Sequence, residues 1–184
     1  PLILMSPKSL LRHKGCVSEL SEMAEGATFH RVLWDSGDVH ADAKIKKIVL
    51  CSGKVYFDLA AERDKRKQKD VYIMRVEQLF PFPKKALTDE IGRFKNVEEI
   101  VWCQEEPRNM GSWTFIFEPL EETLIELGAP VTRPVYVGRA AAASPATGSM
   151  QKHVVEQAQL VDDALAMKKA GAKTNATKKK TKKR

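Results

Sequence analysis

The chain lacks the long apolar runs of a membrane protein. None of its 184 residues belongs to a run near the ~20 apolar residues that a spanning helix needs. The opening PLILM is apolar but brief, and no small-residue cleavage site follows it, so it does not fit a signal peptide. An initiator methionine is also missing, which leads us to expect a segment of a longer protein. The sequence therefore predicts no membrane association.

The residue patterns of metal sites and of several enzyme classes are missing too. The three cysteines, Cys16, Cys51 and Cys103, show no CxxC spacing, and the four histidines have no metal-ligand spacing. No sequence motif of a Ser-His-Asp catalytic triad is present, and the glycine and lysine spacing of a P-loop is absent. We therefore predict no metal site and no catalytic residue in this chain, and we expect a reducing compartment.

Acidic residues are absent from one part of the chain, the segment from Lys168 to Arg184. It holds nine of the 31 basic residues, so the rest carries 22 basic against 24 acidic side chains, although the net charge is +7. The globular part thus lacks a nucleic-acid footprint. We expect one domain over residues 1–170 and a disordered basic tail over 171–184, able at most to touch polyanions weakly.

Five short apolar segments are present and predict strands. They are LILM (2–5), KIVLC (47–51), VYIMRV (71–76), EIVWCQ (99–104) and PVYVG (134–138). The middle three are almost continuously apolar, as in strands covered on both faces. Helical patterns over 55–69 and 83–94 separate them, which indicates parallel crossovers. We predict an α/β fold, a mostly parallel five-stranded sheet with helices on both faces and one antiparallel edge strand.

Two more helices are predicted towards the C-terminus. One begins near Pro119 and ends at Gly128, because proline suits a first turn and glycine suits a C-cap. The other covers 151–170, with Val154, Ala158, Val161 and Leu165 on its apolar stripe. A loop of small residues, 138–150, precedes it.

Ligands of parallel sheets usually bind at the carboxyl ends of the strands. Arg12 follows the first predicted strand, and Ser52, Gly53 and Lys54 follow the second, so both groups should emerge at that edge. Guanidinium, ammonium and backbone N–H groups together could hold a diphosphate. The alternative is that Ser52 caps a helix, that Arg12 and Lys54 pair with acids such as Glu77 or Glu105, and that nothing binds.

The segment VWCQEEPRNMGSW (101–113) raises the question of a catalytic carboxylate pair. Side chains of consecutive residues in an extended chain point in opposite directions, so Glu105 and Glu106 should not converge on one substrate. We interpret Gln104, Glu105, Glu106 and Trp113 as structural and interface residues. One glutamate would cap or pair with a backbone or arginine partner, and the other would meet a second subunit.

The segments LILMSPKSLLRHK, CSGKVYFDL, RVEQLFPFP, VWCQEEPRNMGSW and GRAAAASPATGSMQKHVVEQ are similar to the C-terminal segment of the 2-oxoglutarate dehydrogenase first component. The similarity extends from residue 1 to about 166 and excludes the tail. It implies a transketolase C-terminal-like domain of a homodimeric decarboxylase that uses thiamine diphosphate and magnesium, both held by earlier domains. The segment itself would serve dimerisation, not chemistry.

The resemblance also implies partners and a setting. The full enzyme would pass a succinyl group to the lipoyl arm of a succinyltransferase, beside dihydrolipoyl dehydrogenase, in the tricarboxylic acid cycle. It would work in the bacterial cytoplasm or the mitochondrial matrix, and acetyl-CoA or AMP could bind this domain as an effector. Two alternatives are a stand-alone nucleotide or acyl-CoA binding module and an unrelated small α/β enzyme.

Overall fold

A computed structural model of the chain describes residues 1–3 and 7–167. Their core is one five-stranded sheet. Its strands are β1 (Val32–Leu33), β2 (Lys47–Cys51), β3 (Val71–Val76), β4 (Glu99–Pro107) and β5 (Val135–Arg139). They lie side by side in the order β1-β3-β2-β4-β5. All neighbours are parallel except β1, which runs antiparallel to β3 at one edge. The predicted fold class and the antiparallel edge strand are confirmed.

The strand predictions succeed where burial is complete. Lys47–Cys51 and Val71–Val76 form strands with the predicted bounds, and every residue of β2 is buried. Relative to the predicted bounds, the strand at 99–104 is extended to Glu99–Pro107. The strand at 134–138 is displaced by one residue to Val135–Arg139. The prediction that LILM (2–5) forms the first strand was wrong for its described residues. Residues 1–3 are exposed and belong to no strand, and residues 4–5 lie outside the described part of the chain. Val32–Leu33 takes the antiparallel edge instead.

Helices cover both faces of the sheet, as predicted. They are α1 (Val55–Arg66), α2 (Lys84–Ile91), α3 (Trp113–Leu127) and α4 (Met150–Leu165). One core cluster joins α2 and α3 to one face of the sheet, and a second joins α1 and α4 to the other. Short 3-10 helices at Lys8–Arg12, Leu20–Met23 and Asp42–Lys44 lie in the long N-terminal segment.

The start of α3 was predicted wrongly. The helix begins at Trp113, and Pro119 lies inside it rather than at its first turn. The helix can begin at Trp113 because the first turn has a hydrogen-bond acceptor from outside the helix. The side-chain oxygen of Gln104, on β4, accepts a hydrogen bond from the Trp113 backbone N–H at 3.0 Å. Its end was predicted correctly, since Gly128 takes a left-handed conformation with φ +66°.

The apolar stripe of α4 is also only partly as predicted. Val161 and Leu165 are buried, together with Leu160 and Ala164. Val154 is 58% exposed, and Ala158 is exposed as well. Only the second half of the helix packs on the sheet, and that is why its first apolar residues remain on the surface. The helix ends at Leu165; residues 168–170 of the prediction and the basic tail 171–184 lie outside the described residues.

Candidate functional site

A crevice of about 570 Å³ opens at the carboxyl ends of β2 and β4. These two parallel strands are neighbours, with Cys51 opposite Cys103. The chain leaves β2 into α1 on one face of the sheet and leaves β4 into α3 on the other. The crevice is therefore at the topological switch point, where open α/β sheets bind ligands. Its lining residues are Pro7, Ser52, Gly53, Lys54, Leu79, Gln104, Glu105, Glu106, Gly111, Ser112 and Phe115.

The Gln104 side chain fixes the wall of the crevice that follows β4. Its amide oxygen accepts hydrogen bonds from the Trp102 indole N–H and the Trp113 backbone N–H, both at 3.0 Å. Its amide nitrogen donates to the Met110 carbonyl at 2.7 Å and lies 3.3 Å from two further carbonyls, of Glu106 and Pro107. The residue is 3% exposed, so a buried polar group is fully satisfied and closes the loop between β4 and α3.

Glu105 faces α1 and forms an ion pair within the chain. Its carboxylate lies 2.7 Å from the Lys54 ammonium, which also approaches Asp58 at 3.4 Å. Burial, the largest single effect, would lower the pKa of Lys54, but the hydrogen bond and the charge of Glu105, together with Asp58, raise that pKa above its ordinary value. Lys54 is thus held in its charged form by two carboxylates.

Glu106 is arranged differently. It is exposed, and no Lys, Arg or His of the described residues lies within ion-pair distance of its carboxylate. Its backbone carbonyl accepts a hydrogen bond from the Tyr136 hydroxyl at 3.1 Å. The two glutamates therefore differ in partner and burial, and this arrangement does not make them an acid/base pair.

The loop after β4 is tied to the loop after β5. The Asn109 amide donates to the Ala142 carbonyl at 3.0 Å and accepts from the Ala142 backbone N–H at 3.1 Å. The Arg108 backbone N–H donates to the Arg139 carbonyl at 3.0 Å. The Arg139 guanidinium, near the end of β5, contacts His153 and Glu156 of α4 at 2.9 and 3.2 Å. These contacts join both loops and α4 into one surface.

Two cysteines directly precede the crevice-lining residues Ser52 and Gln104 in the chain. Cys51 and Cys103 are paired positions on neighbouring strands, and both are fully buried. Burial raises the pKa of Cys103 to about 12, with the charge of Glu105 as the next cause. Burial and the neighbouring Cys103 raise the pKa of Cys51 well above its ordinary value. At neutral pH both are protonated and unreactive, as expected for thiols that act as small core residues.

The structure brings Ser52, Gly53 and Lys54 into one crevice with Gln104, Glu105 and Glu106, and it places Trp113 beside them through Gln104. Arg12 is exposed at the end of a 3-10 helix and is not among the lining residues. The strand expected to aim it there is not formed by residues 1–3. Of the predicted alternative, the pairing of Lys54 with Glu105 is observed. The other part was wrong: the N-cap of α1 is Lys54, without a side-chain cap hydrogen bond, so Ser52 does not cap the helix.

Sequence reasoning missed three residues that shape this surface: Asp58, Asn109 and Tyr136. Asp58 is four residues after Lys54 on α1, a spacing that could have indicated their pairing. Asn109 and Tyr136 act through backbone groups of distant loops, and the sequence carries no signal for such contacts.

Among the described residues, no group of three or more His, Cys, Asp or Glu side chains is placed to hold a metal ion. Within the same residues, no helix is both long and apolar enough to cross a bilayer.

Comparison with known proteins identifies relatives over most of the chain. The family described as 2-oxoglutarate dehydrogenase C-terminal matches residues 17–165. Proteins named 2-oxoglutarate dehydrogenase E1 component from Brucella anthropi, Brucella ovis and Brucella canis are each 54% identical to the chain over 173 residues. Each alignment covers 90% of this chain but only 17% of the relative, so the chain spans about a sixth of the length of these relatives.

Proposed function

The chain belongs to the 2-oxoglutarate dehydrogenase C-terminal family, and we propose that it is the C-terminal domain of a succinyl-transferring 2-oxoglutarate dehydrogenase in which it serves assembly rather than chemistry. The observation that carries this proposal is the 54% identity to E1 components over 90% of the chain. The full-length protein would decarboxylate 2-oxoglutarate and pass the succinyl group to a lipoyl arm. A stand-alone binding module would not account for that identity.

The geometry of the strand ends supports a non-catalytic role for this domain. Gln104 is buried and saturated with hydrogen bonds, and Glu105 is bound to Lys54. A general acid or base must reach a substrate proton, and neither side chain is free to do so. Their function is to fix the carboxyl end of β4, which carries Glu106, and the loop that follows it.

We propose that the carboxyl end of β4 forms a contact between the two subunits of a homodimer. Glu106 is exposed and presents a carboxylate without a cationic partner in the described part of the chain. Phe115 lines the same crevice as Glu106 and is 52% exposed. Its ring lies 6.5 Å from that of Phe80, which is 78% exposed. An apolar patch next to an unpaired charge is typical of a surface that another protein covers.

The cofactors and further partners are proposed from the family alone. Thiamine diphosphate with magnesium would supply the electron sink for decarboxylation in the full-length enzyme. The described residues do not fit that group, because no carboxylate cluster for a divalent ion is present among them. We place its site in the part of the relatives that this chain does not match. The other partners would be the lipoyl-bearing succinyltransferase and dihydrolipoyl dehydrogenase, in the cytoplasm.

Effector binding is a second proposed function, favoured by the position of the crevice. A cavity at the switch point, with Ser52, Gly53 and Lys54 on one wall and Leu79 and Phe115 on another, suits a ligand with an anionic and an apolar part. Acetyl-CoA and AMP have this character. Arg12, the fourth predicted contact, lies outside the crevice and would join only if the N-terminal segment moved.

Sedimentation equilibrium of the full-length protein tests the assembly proposal. We expect Glu106→Ala to weaken the dimer by about 1–3 kcal/mol, because a partner charge would lose its counterion. Glu118→Ala is the matched control, since Glu118 is an exposed carboxylate of α3 that does not line the crevice. Unchanged dimerisation in the Glu106 variant would contradict the proposal.

A further inference from the structure

Among the described residues that line the crevice, Lys54 is the only one with a cationic side chain, and it is already paired with Glu105. Its ammonium lies 2.7 Å from the Glu105 carboxylate, within the range of charge-assisted hydrogen bonds. The two side chains are 26% and 22% exposed, so water screens them less than a surface pair. In this structure the Glu105 carboxylate therefore lies at the Lys54 ammonium, in the position where an anionic ligand would bind.

The second carboxylate of the crevice makes a useful comparison. Glu106 lines the same cavity but contacts no cation of the described residues. It contributes the same formal charge as Glu105 without occupying Lys54. An effect of Glu105 beyond that of Glu106 therefore reports the position of Glu105 at the ammonium group and not the total charge of the crevice.

We infer that Glu105 is an internal competitor for the anion site, and that a phosphate-bearing ligand binds in the crevice by displacing the Glu105 carboxylate from Lys54. This inference rests on the proposed effector function of the crevice. Lys54 keeps Asp58 as a neighbour at 3.4 Å, so it is not left without a counterion when Glu105 leaves. The released Glu105 directly precedes Glu106 at the carboxyl end of β4. Anion binding at Lys54 is thereby linked to the proposed subunit contact.

Calorimetric titration of pyrophosphate into the full-length protein saturated with thiamine diphosphate tests the inference. Glu105→Gln should bind about tenfold more tightly than the wild type, since the competing charge is gone. Glu105→Asp keeps the charge but shortens the reach to Lys54, so it should bind more tightly as well. Glu106→Gln should change the affinity less than about threefold, the range of a screened charge that makes no direct contact.

Lys54→Met tests whether the crevice binds an anion at all, separately from whether Glu105 competes with that anion. In the wild-type and Glu105→Gln backgrounds it should abolish the pyrophosphate binding seen without it. If Lys54→Met leaves binding unchanged in both, the crevice is no anion site and the proposed effector function fails. If Lys54 is required but Glu105→Gln and Glu106→Gln tighten binding equally, or Glu105→Asp has no effect, the site stands and the competitor is rejected. Thermal unfolding midpoints confirm that the compared variants are folded.

Discussion

At the scale of residues, the Gln104 amide decides the local structure of the candidate site. It joins the indole of Trp102, the first N–H of α3 and the Met110 carbonyl, all within 3.0 Å. Aspartate or asparagine is the usual cap at the start of a helix, yet here the partner comes from a strand nine residues away. A buried amide with several partners specifies one loop conformation, because any alternative leaves polar groups unsatisfied.

We expect Gln104→Ala to lower the free energy of unfolding by about 2–4 kcal/mol, because it leaves a buried indole N–H and a buried backbone N–H without a hydrogen-bond acceptor. Denaturant unfolding measures the loss. Gln159→Ala removes an exposed amide of α4 whose hydrogen-bond partner in the described part of the chain is Asp163, and it should stay within about 0.5 kcal/mol of the wild type. Equal effects of the two substitutions would mean that the network does not stabilise the loop.

The two buried thiols predict how stability depends on alkaline pH. The pKa of Cys103 is raised to about 12, and that of Cys51 is raised in the same direction, from an ordinary value of 9.0. Both therefore stay protonated in the folded chain when the unfolded chain has begun to ionise. The stabilisation is complete below pH 9 and is lost as the pH rises above it.

Between pH 9 and 10 we expect the free energy of unfolding to fall by up to roughly 1 kcal/mol per pH unit for each thiol. Denaturant titrations in that window measure the slope. The Cys51→Ala/Cys103→Ala double variant is less stable throughout but should lose most of this slope. A slope that survives in the double variant would assign it to other groups.

At the scale of elements, two glycines with positive φ flank α3: Gly111 lies shortly before the helix and Gly128 directly after it. Gly128 caps α3 with φ +66°, and a Cβ there would meet no atom within 4 Å. Gly111 has the same φ, but a Cβ would lie 2.9 Å from the Gln104 amide nitrogen and 3.0 Å from the Glu106 Cβ. The two glycines share the backbone requirement and differ in the space around them.

Alanine at each position separates these causes. Gly128→Ala should cost about 1 kcal/mol of stability, the strain of a left-handed residue with a side chain. Gly111→Ala should cost at least about 2 kcal/mol, because it also pushes the Gln104 network apart. Denaturant unfolding of both variants gives the difference. If Gly128→Ala is the more costly of the two, close packing around Gly111 is not the reason for glycine there.

The elements that could be predicted from the sequence are those whose cause is local. KIVLC and VYIMRV are short, continuous and apolar, and they form buried strands with the predicted bounds. The failures have distant causes. Residues 1–3 are apolar but exposed, and the edge of the sheet is taken by Val32–Leu33. The start of α3 depends on Gln104, and Pro119 gave a misleading local signal.

The candidate site was predictable in composition but not in its contacts. Parallel topology brings the residues after β2 and β4 to one edge, so Ser52, Lys54 and the two glutamates could be grouped in advance. Which glutamate pairs with Lys54 depends on the pleat of β4 and the direction of α1, and these are three-dimensional facts. The exclusion of Arg12 likewise follows from a strand that residues 1–3 do not form.

At the scale of the whole molecule, the chain matches about a sixth of the E1 components to which it is similar. We expect the isolated 184-residue chain to bind no thiamine diphosphate in calorimetry with magnesium present, because the diphosphate site is proposed to lie in the unmatched part. The full-length protein is the positive control. Tight magnesium-dependent binding to the isolated chain would move the cofactor site into this domain.

The central claim is that the carboxyl end of β4, which carries Glu106, serves assembly and not chemistry. The most direct test is turnover of 2-oxoglutarate by full-length Glu106→Ala, measured over a range of protein concentrations alongside its dimer content. We predict a kcat within about twofold of the wild type when the protein is fully dimeric, and a loss of activity on dilution that follows dissociation. A variant that stays dimeric and folded while its kcat collapses would contradict the claim and place Glu106 at the reaction itself.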